Sequence, residues 1–451
     1  YATKQRTGAY RSDITPPDTH GTVIDDAWLD GYATAVAAGT GTAYRRAVTD
    51  GTDQARQGFA SGSRYGVPVN LTWTTANHKL EAGFWLERDA PDYVRYGYNQ
   101  VNGSNANAFD YSRHWVSYYD NHYDLRTFEF HLKDSVKLLD DRLTVSAGFR
   151  SVYQQFKYSG QPDILSYYNG ITYNESFTFD DWFQPQLGAT WALNTADELF
   201  VNISRNFSSL APDTVSSTSF LTRESKIKPE HSLNLDFGAR TTRANWSASL
   251  SGYLMQYQNR IGSVTPYDPL GFGSASTRTN YANLGDVFGY GAELVATWTP
   301  IADLRLGFSA TWQRLEYQDN YAEPDGRGGA VLRKIKGKTV PNTPEVVFNA
   351  DATYFYDTWF VSGKARFVDE AYLTTSNNQS IGSSFLVGLG FGYDGIARPD
   401  KARFPNLRVA VSIENLFDRH WYYANTGASF SNGSFSIGTP RTILLTATVK
   451  F

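Results

Sequence analysis

The 451 residues contain no cysteine and a single methionine. The first absence removes disulfide frameworks, cysteine–zinc sites, thiol nucleophiles and cysteine-held iron–sulfur clusters together. It suits a protein outside the cytoplasm. The second, with the scarcity of long apolar helical stretches, argues against a helical bundle. There is no run of about 18 apolar residues, and so no transmembrane helix is expected. The small-residue stretch "GYATAVAAGTGTA" (residues 31–43) is too rich in glycine and threonine to serve as one. Excess positive charge is missing too: 41 Lys and Arg stand against 45 Asp and Glu, a net charge of −4. Nucleic acid is therefore not expected as a partner, because binding phosphate needs a basic surface. The opening "YATKQRTGAY" lacks the basic-then-apolar order of a secretory leader. Either a leader was removed or the chain starts partway through a longer protein.

Enzyme signatures are also wanting. The histidines are scattered, with no His-x-x-x-His, Gly-x-Ser-x-Gly or phosphate-cradling glycine loop. No enzymatic activity, cofactor or resident metal is expected. His114 and His122 share a segment with Asp120 and Asp124, where only an adventitious metal would lodge.

What is abundant is aromatic: 30 Tyr, 28 Phe and 11 Trp, residues that suit pleated strands. Strict alternation is the clearest local pattern. In "LNLDFGAR" (residues 233–240), Leu233, Leu235, Phe237 and Ala239 fall on one face and Asn234, Asp236, Gly238 and Arg240 on the other. "LTVSAGFR" (143–150), "LRLGFSATW" (304–312) and "LRVAVSIEN" (407–415) repeat the scheme. A period of two means strands with one apolar and one polar face.

Connections alternate as well. Turn-like links stand at residues 76–79, 139–142, 194–198, 241–245, 300–303 and 356–358. Between them lie long segments at 11–62, 97–122, 157–180, 208–228, 261–284 and 318–340. Short and long in turn is the connection pattern of an outer-membrane barrel. About sixteen strands are expected, the first at residues 1–10 and the last at 435–451. Trp73, Trp191, Trp246, Trp298 and Trp359 each lie near a short turn and on the apolar face. A soluble sandwich gives no reason for that placement, whereas a membrane barrel does: such rings form a girdle at the headgroup level. A sheet in lipid cannot leave edge N–H and C=O groups unpaired, so it must close.

Against that background the last third resembles the barrel of TonB-dependent receptors. "VSIENLFDRHWYYANTG" (411–427) is similar to the family's penultimate strand, and "GTPRTILLTATVKF" (438–451) to its closing strand. "IKPEHSLNLDFGAR" (227–240), "FGYGAELVATWTPIADLRLGFSATW" (288–312), "GKTVPNTPEVVFNADATY" (337–354) and "DELFVNISRNFSSLAP" (197–212) resemble further family segments in the family's order. The resemblance implies a transmembrane antiparallel β-barrel of the outer membrane of a Gram-negative bacterium. About 16 of an expected 22 strands would be present, residues 1–451 forming a partial barrel domain. The plug domain, the short TonB box before it and the first strands would lie outside this chain. It implies Phe451 as the barrel-assembly signal, on the lipid-facing side with Leu445, Ala447 and Val449. It further implies active uptake of a scarce nutrient, most commonly a ferric siderophore. The partners would be the receptor's own plug, the TonB–ExbB–ExbD complex acting through it, and outer-membrane lipid and lipopolysaccharide.

For ligand capture, the segment "YSRHWVSYYDNHYD" (111–124) is the richest. Arg113 and His114 suit anionic groups of a ferric chelate, and Trp115, Tyr118 and Tyr119 suit stacking on its rings. The bland reading is an edge of the outer aromatic girdle. Tyr167, Tyr168 and Tyr173 are similar candidates, and Arg223 is another. The basic run "RKIKGK" (333–338) suits an anionic ligand less well than lipopolysaccharide phosphates or plain solvation. Arg205, on the lipid-facing parity, reads as a lipopolysaccharide contact. Arg150, Asp236, Arg240, Glu293, Arg305, Asp351, Arg408 and Glu414 read as wall residues facing the interior. The reading from a different class is a self-contained 16-stranded porin that passes solutes passively.

Overall fold

A computed structural model of the chain describes residues 2–14, 54–99, 116–163, 166–167, 170–221, 227–264, 280–324, 330–425, 430 and 433–450. Sixteen strands form one antiparallel sheet. They are β1 (Ala2–Ile14), β2 (Gln54–Thr74), β3 (His78–Asn99), β4 (Val116–Leu138), β5 (Leu143–Gln161), β6 (Tyr173–Ala192), β7 (Asp197–Ser208), β8 (Glu230–Thr242) and β9 (Trp246–Gln258). The sheet continues through β12 (Val287–Ile301), β13 (Leu304–Tyr317), β16 (Val346–Tyr356), β17 (Trp359–Val368), β20 (Ser384–Asp394), β21 (Leu407–Glu414) and β24 (Thr442–Val449). The intervening strands make four small hairpins within the long connections: β10 (Ile261–Val264) with β11 (Asn280–Asn283), β14 (Tyr321–Pro324) with β15 (Ala330–Arg333), β18 (Ala371–Tyr372) with β19 (Ser380–Ile381), and β22 (Tyr422–Ala424) with β23 (Phe435–Ile437). Each main strand pairs with its neighbour in the chain, and among the described residues no ladder joins β1 to β24.

The expected count of strands is met, but their limits shift. The last strand starts at Thr442, because residues 435–437 belong to a hairpin of their own. The loops expected at 97–122 and 157–180 are partly strand: β4 starts at Val116, and β5 runs to Gln161. β3 is 22 residues long, or about 70 Å at the usual rise. Crossing hydrocarbon takes about 9–11 tilted residues, so β2 to β6 extend well past that length.

The register joins all five turn-proximal tryptophans onto one face, since directly opposed residues of an antiparallel pair project the same way. Trp73 opposes Leu80, Leu80 opposes Asp134, Asp134 opposes Ala147 and Ala147 opposes Leu187, which shares parity with Trp191. Leu187 leads through Ile203 and Leu235 to Leu254, on the parity of Trp246, and Trp246 opposes Trp298 directly. Trp298 leads through Leu306 and Ala352 to Gly363, on the parity of Trp359. The five indoles are all exposed. Leu445, Ala447 and Val449 share this face through Val411, Val409 and Leu407. A soluble protein does not expose so continuous an apolar surface. Phe451 lies outside the described residues.

Turns at the tryptophan end are tight. Residues 302–303 join β12 to β13, and residues 357–358 join β16 to β17. In the latter Asp357 adopts a φ of 58°, a left-handed conformation that short-side-chain polar residues tolerate in two-residue hairpin turns. One turn at this end is different: residues 395–406, between β20 and β21, are long and include a 3-10 turn at Pro399–Lys401. The short-turn pattern in the sequence did not single it out.

Candidate functional site

At the opposite end described parts of several long connections pack onto the polar face of the sheet. Residues 209–229 carry two short helical turns, Pro212–Val215 and Thr218–Leu221. Leu210, Val215, Leu221 and Ile227 are buried against Tyr123, Phe156, Tyr158 and Phe179 of β4, β5 and β6. The sequence around residues 210–221 has no strand period, which leaves it free to fold back on the wall. Polar groups are satisfied there: Tyr123 Oη donates to Ser216 Oγ at 2.7 Å, and Tyr158 Oη to Asn121 Oδ1 at 2.7 Å. Buried groups need such partners.

A second loop core lies beyond it. Val264, Ala282, Leu284, Val287, Tyr317, Tyr321 and Ile335 pack together, with Phe430 from the β21–β24 connection against them. Burial pushes the Tyr317 phenol up to about 12. Burial, then the neighbouring Glu323 charge, raises that of Tyr321. Arg333 pairs with Glu323, which is almost fully buried, and its guanidinium stacks over Phe430 at 4.7 Å. The head of the basic run 333–338 is thus an internal strut rather than a free cation. The sequence does not show this, because Glu323 lies ten residues away across a hairpin.

The expected capture residues separate. Arg113, His114, Trp115, Tyr168 and Arg223 lie outside the described residues. Tyr118 is buried at 5 % exposure; it sits at a register shift where β3 passes from Arg95 to Tyr96 while β4 passes from Tyr119 to Ser117. Tyr119 is half-buried under the guanidinium of Arg95, 5.3 Å from its ring centre. Tyr167 stands in a turn whose backbone N–H donates to Asp163 O at 3.2 Å. Tyr173 packs against the first loop core. The structure therefore brings Tyr119 and Arg95 together, and Arg95 is a partner the sequence had not offered.

His122 bridges two carboxylates. Its Nδ1 lies 2.7 Å from Asp92 Oδ1 and its Nε2 2.9 Å from Asp120 Oδ1. Among the described residues no group of three or more such side chains is arranged to hold a metal ion. Arg205 lies on the tryptophan face, as its parity requires. Its guanidinium donates to Asp181 Oδ1 at 3.1 Å and to the Phe183 carbonyl at 2.7 Å. The wall charges lie on the opposite face, several with partners: Arg240 with Glu198, Arg408 with Asp394, and Glu414 with Lys364.

Residues 3–416 match the model of the family described as TonB dependent receptor-like, β-barrel. The chain belongs to this family. As a TonB-dependent receptor barrel it resides in the outer membrane. Outer-membrane barrels carry short turns on the periplasmic side and longer loops outside. The siderophore receptor PiuA of Acinetobacter baumannii is similar in fold, with a TM-score of 0.69 at 14 % identity over 89 % of this chain and 57 % of that one. The copper transporter OprC gives 0.66 at 15 % identity over 89 % and 58 %. The unliganded ferric citrate transporter FecA gives 0.63 at 16 % over 89 % and 55 %. No curated protein sequence matches the chain significantly. The receptor barrel here spans a little over half the length of the solved structures it matches.

Proposed function

We propose that this barrel serves TonB-dependent uptake of a scarce nutrient across the outer membrane, with a ferric siderophore as the cargo. The family match over residues 3–416 carries the reading. Structures of similar fold include a siderophore receptor and a ferric citrate transporter. In this reading the sheet is the wall around the receptor's own plug, and TonB–ExbB–ExbD acts through that plug. The five tryptophans form the periplasmic girdle. Capture falls to the outer loops, with Tyr119, Tyr167 and the segment around Arg113, His114 and Trp115 as contacts. Stacking of aromatic rings on a flat chelate and charge pairing with its anionic groups are the recognition chemistry.

The sixteen-strand count also suits a passive porin. The two readings part on energy. A strain lacking the gene should lose iron-limited growth on a candidate ferric siderophore, and complementation should restore it only while TonB is present. Growth restored equally without TonB would overturn active uptake and favour passive passage.

A further inference from the structure

The long turn at residues 395–406 borders a cleft together with the two-residue turn at 357–358. Phe404 folds back onto the outward face of the sheet. Its backbone N–H donates to Tyr393 Oη at 2.9 Å, and the two rings meet edge-on with centroids 6.5 Å apart. Tyr393 in turn meets Trp359 edge-on at 5.8 Å. Between these rings and the wall lies a cleft of about 570 Å³, whose apolar surface comes from Trp359, Phe391, Tyr393, Phe404, Val409 and Val411. Lys401 and Arg403 border it, both exposed. Among the described residues neither has an ion-pair partner, although Arg403 leans over the Phe404 ring at 5.5 Å. Asp357 is the acidic group on the border, so basic groups outnumber acidic ones there by two to one.

Three observations select the occupant. The cleft opens on the tryptophan face, which meets lipid. It lies at the height of Trp359 and Tyr393, the level at which amphipathic rings meet headgroups. Its interior is apolar while its rim is cationic, and cations near a membrane surface attract lipid phosphate. We propose that the cleft holds one anionic glycerophospholipid of the periplasmic leaflet. An acyl chain lies against Phe391, Val409 and Val411, and the phosphate sits between Lys401 and Arg403. This rests on membrane placement alone and is independent of the cargo.

The test is native mass spectrometry of the protein purified from outer membranes, offered phosphatidylglycerol and phosphatidylethanolamine at equal concentration. The unaltered protein should retain one phosphatidylglycerol in preference. Lys401→Gln with Arg403→Gln should lower that retention by about tenfold or more, given the usual gain per surface cation, and should lower phosphatidylethanolamine retention less, so that the preference is lost. Val411→Trp, which fills the cleft without touching charge, should lower retention of both lipids. This second variant keeps the test alive if the charge variant folds poorly. Equal retention of the two lipids by the unaltered protein would overturn the proposal. So would unchanged phosphatidylglycerol retention in Val411→Trp.

Discussion

At the scale of the residue, Asp197 illustrates how a turn outside the membrane is locked. Its carboxylate accepts from Arg243 Nη2 at 2.8 and 2.9 Å, from Asn194 Nδ2 at 2.7 Å and from Thr241 Oγ1 at 2.7 Å. These bonds, led by that from Arg243, hold the carboxyl well below the usual carboxylate range. The unfolded chain therefore binds this proton more readily than the folded one. The stabilisation is fully present above the unfolded value of about 4 and is lost as pH falls through the lower folded value. Asp197→Asn should lower the urea midpoint of the lipid-reconstituted protein at pH 7, and the gap to the unaltered protein should narrow steadily below about pH 4. A gap that stays constant with pH would show that the charge is not what holds the turn.

At the scale of the element, residues 209–221 of the connection after β7 are held to the wall by a few apolar anchors. Val215 is fully buried, at 0 % exposure. Val215→Asp places an unpaired charge there, which costs several kcal/mol or is relieved by release of the segment. The expected result is release: a protease added from outside should cut within 209–229 in the variant and spare the β-strands. Equal resistance of variant and parent would mean that the anchors do not hold this loop. Such packing was not legible beforehand, because Leu210, Val215, Leu221 and Ile227 follow no period. Their burial depends on β4 to β6, distant in the chain. What was legible is the span of strand where the two faces meet different surroundings. Leu233, Leu235 and Phe237 alternate with Asn234, Asp236 and Gly238, and the ladders place them as the alternation requires. The signal fades toward the loop ends of β4 and β5, in "SYYDNHYD" and "QFKYSGQ". There the apolar side chains change face: Tyr123, Phe156 and Tyr158 are buried under the loop core on the polar side of the sheet while Lys157 is exposed, so the outward apolar stripe ends and the strands read as loop. Of the capture residues, Tyr118 looked available by composition alone. It is buried and lies at a register shift, and sequence does not report register shifts.

At the scale of the whole molecule, the long strands divide into two regimes. The turn-proximal half of β3 carries the exposed apolar side chains of the tryptophan face, from which lipid excludes water if those rings form the proposed girdle. The loop-proximal half stands beyond the hydrocarbon. Hydrogen exchange in vesicles should be slow for amides at about residues 79–88 and faster at 92–99, since local opening follows exposure. Uniform protection along β3 would contradict this division.

The chain-order pairing of the main strands also has a mechanical meaning. Among the described residues each main strand pairs with the main strands next to it in chain order. A pull on one end therefore loads the last ladder before any other, rather than shearing the sheet as a block. Held at its C-terminus by a cantilever, the protein would come out of the membrane in discrete steps. β24 would be loaded first, and each later step would release a hairpin, leaving the untouched strands seated.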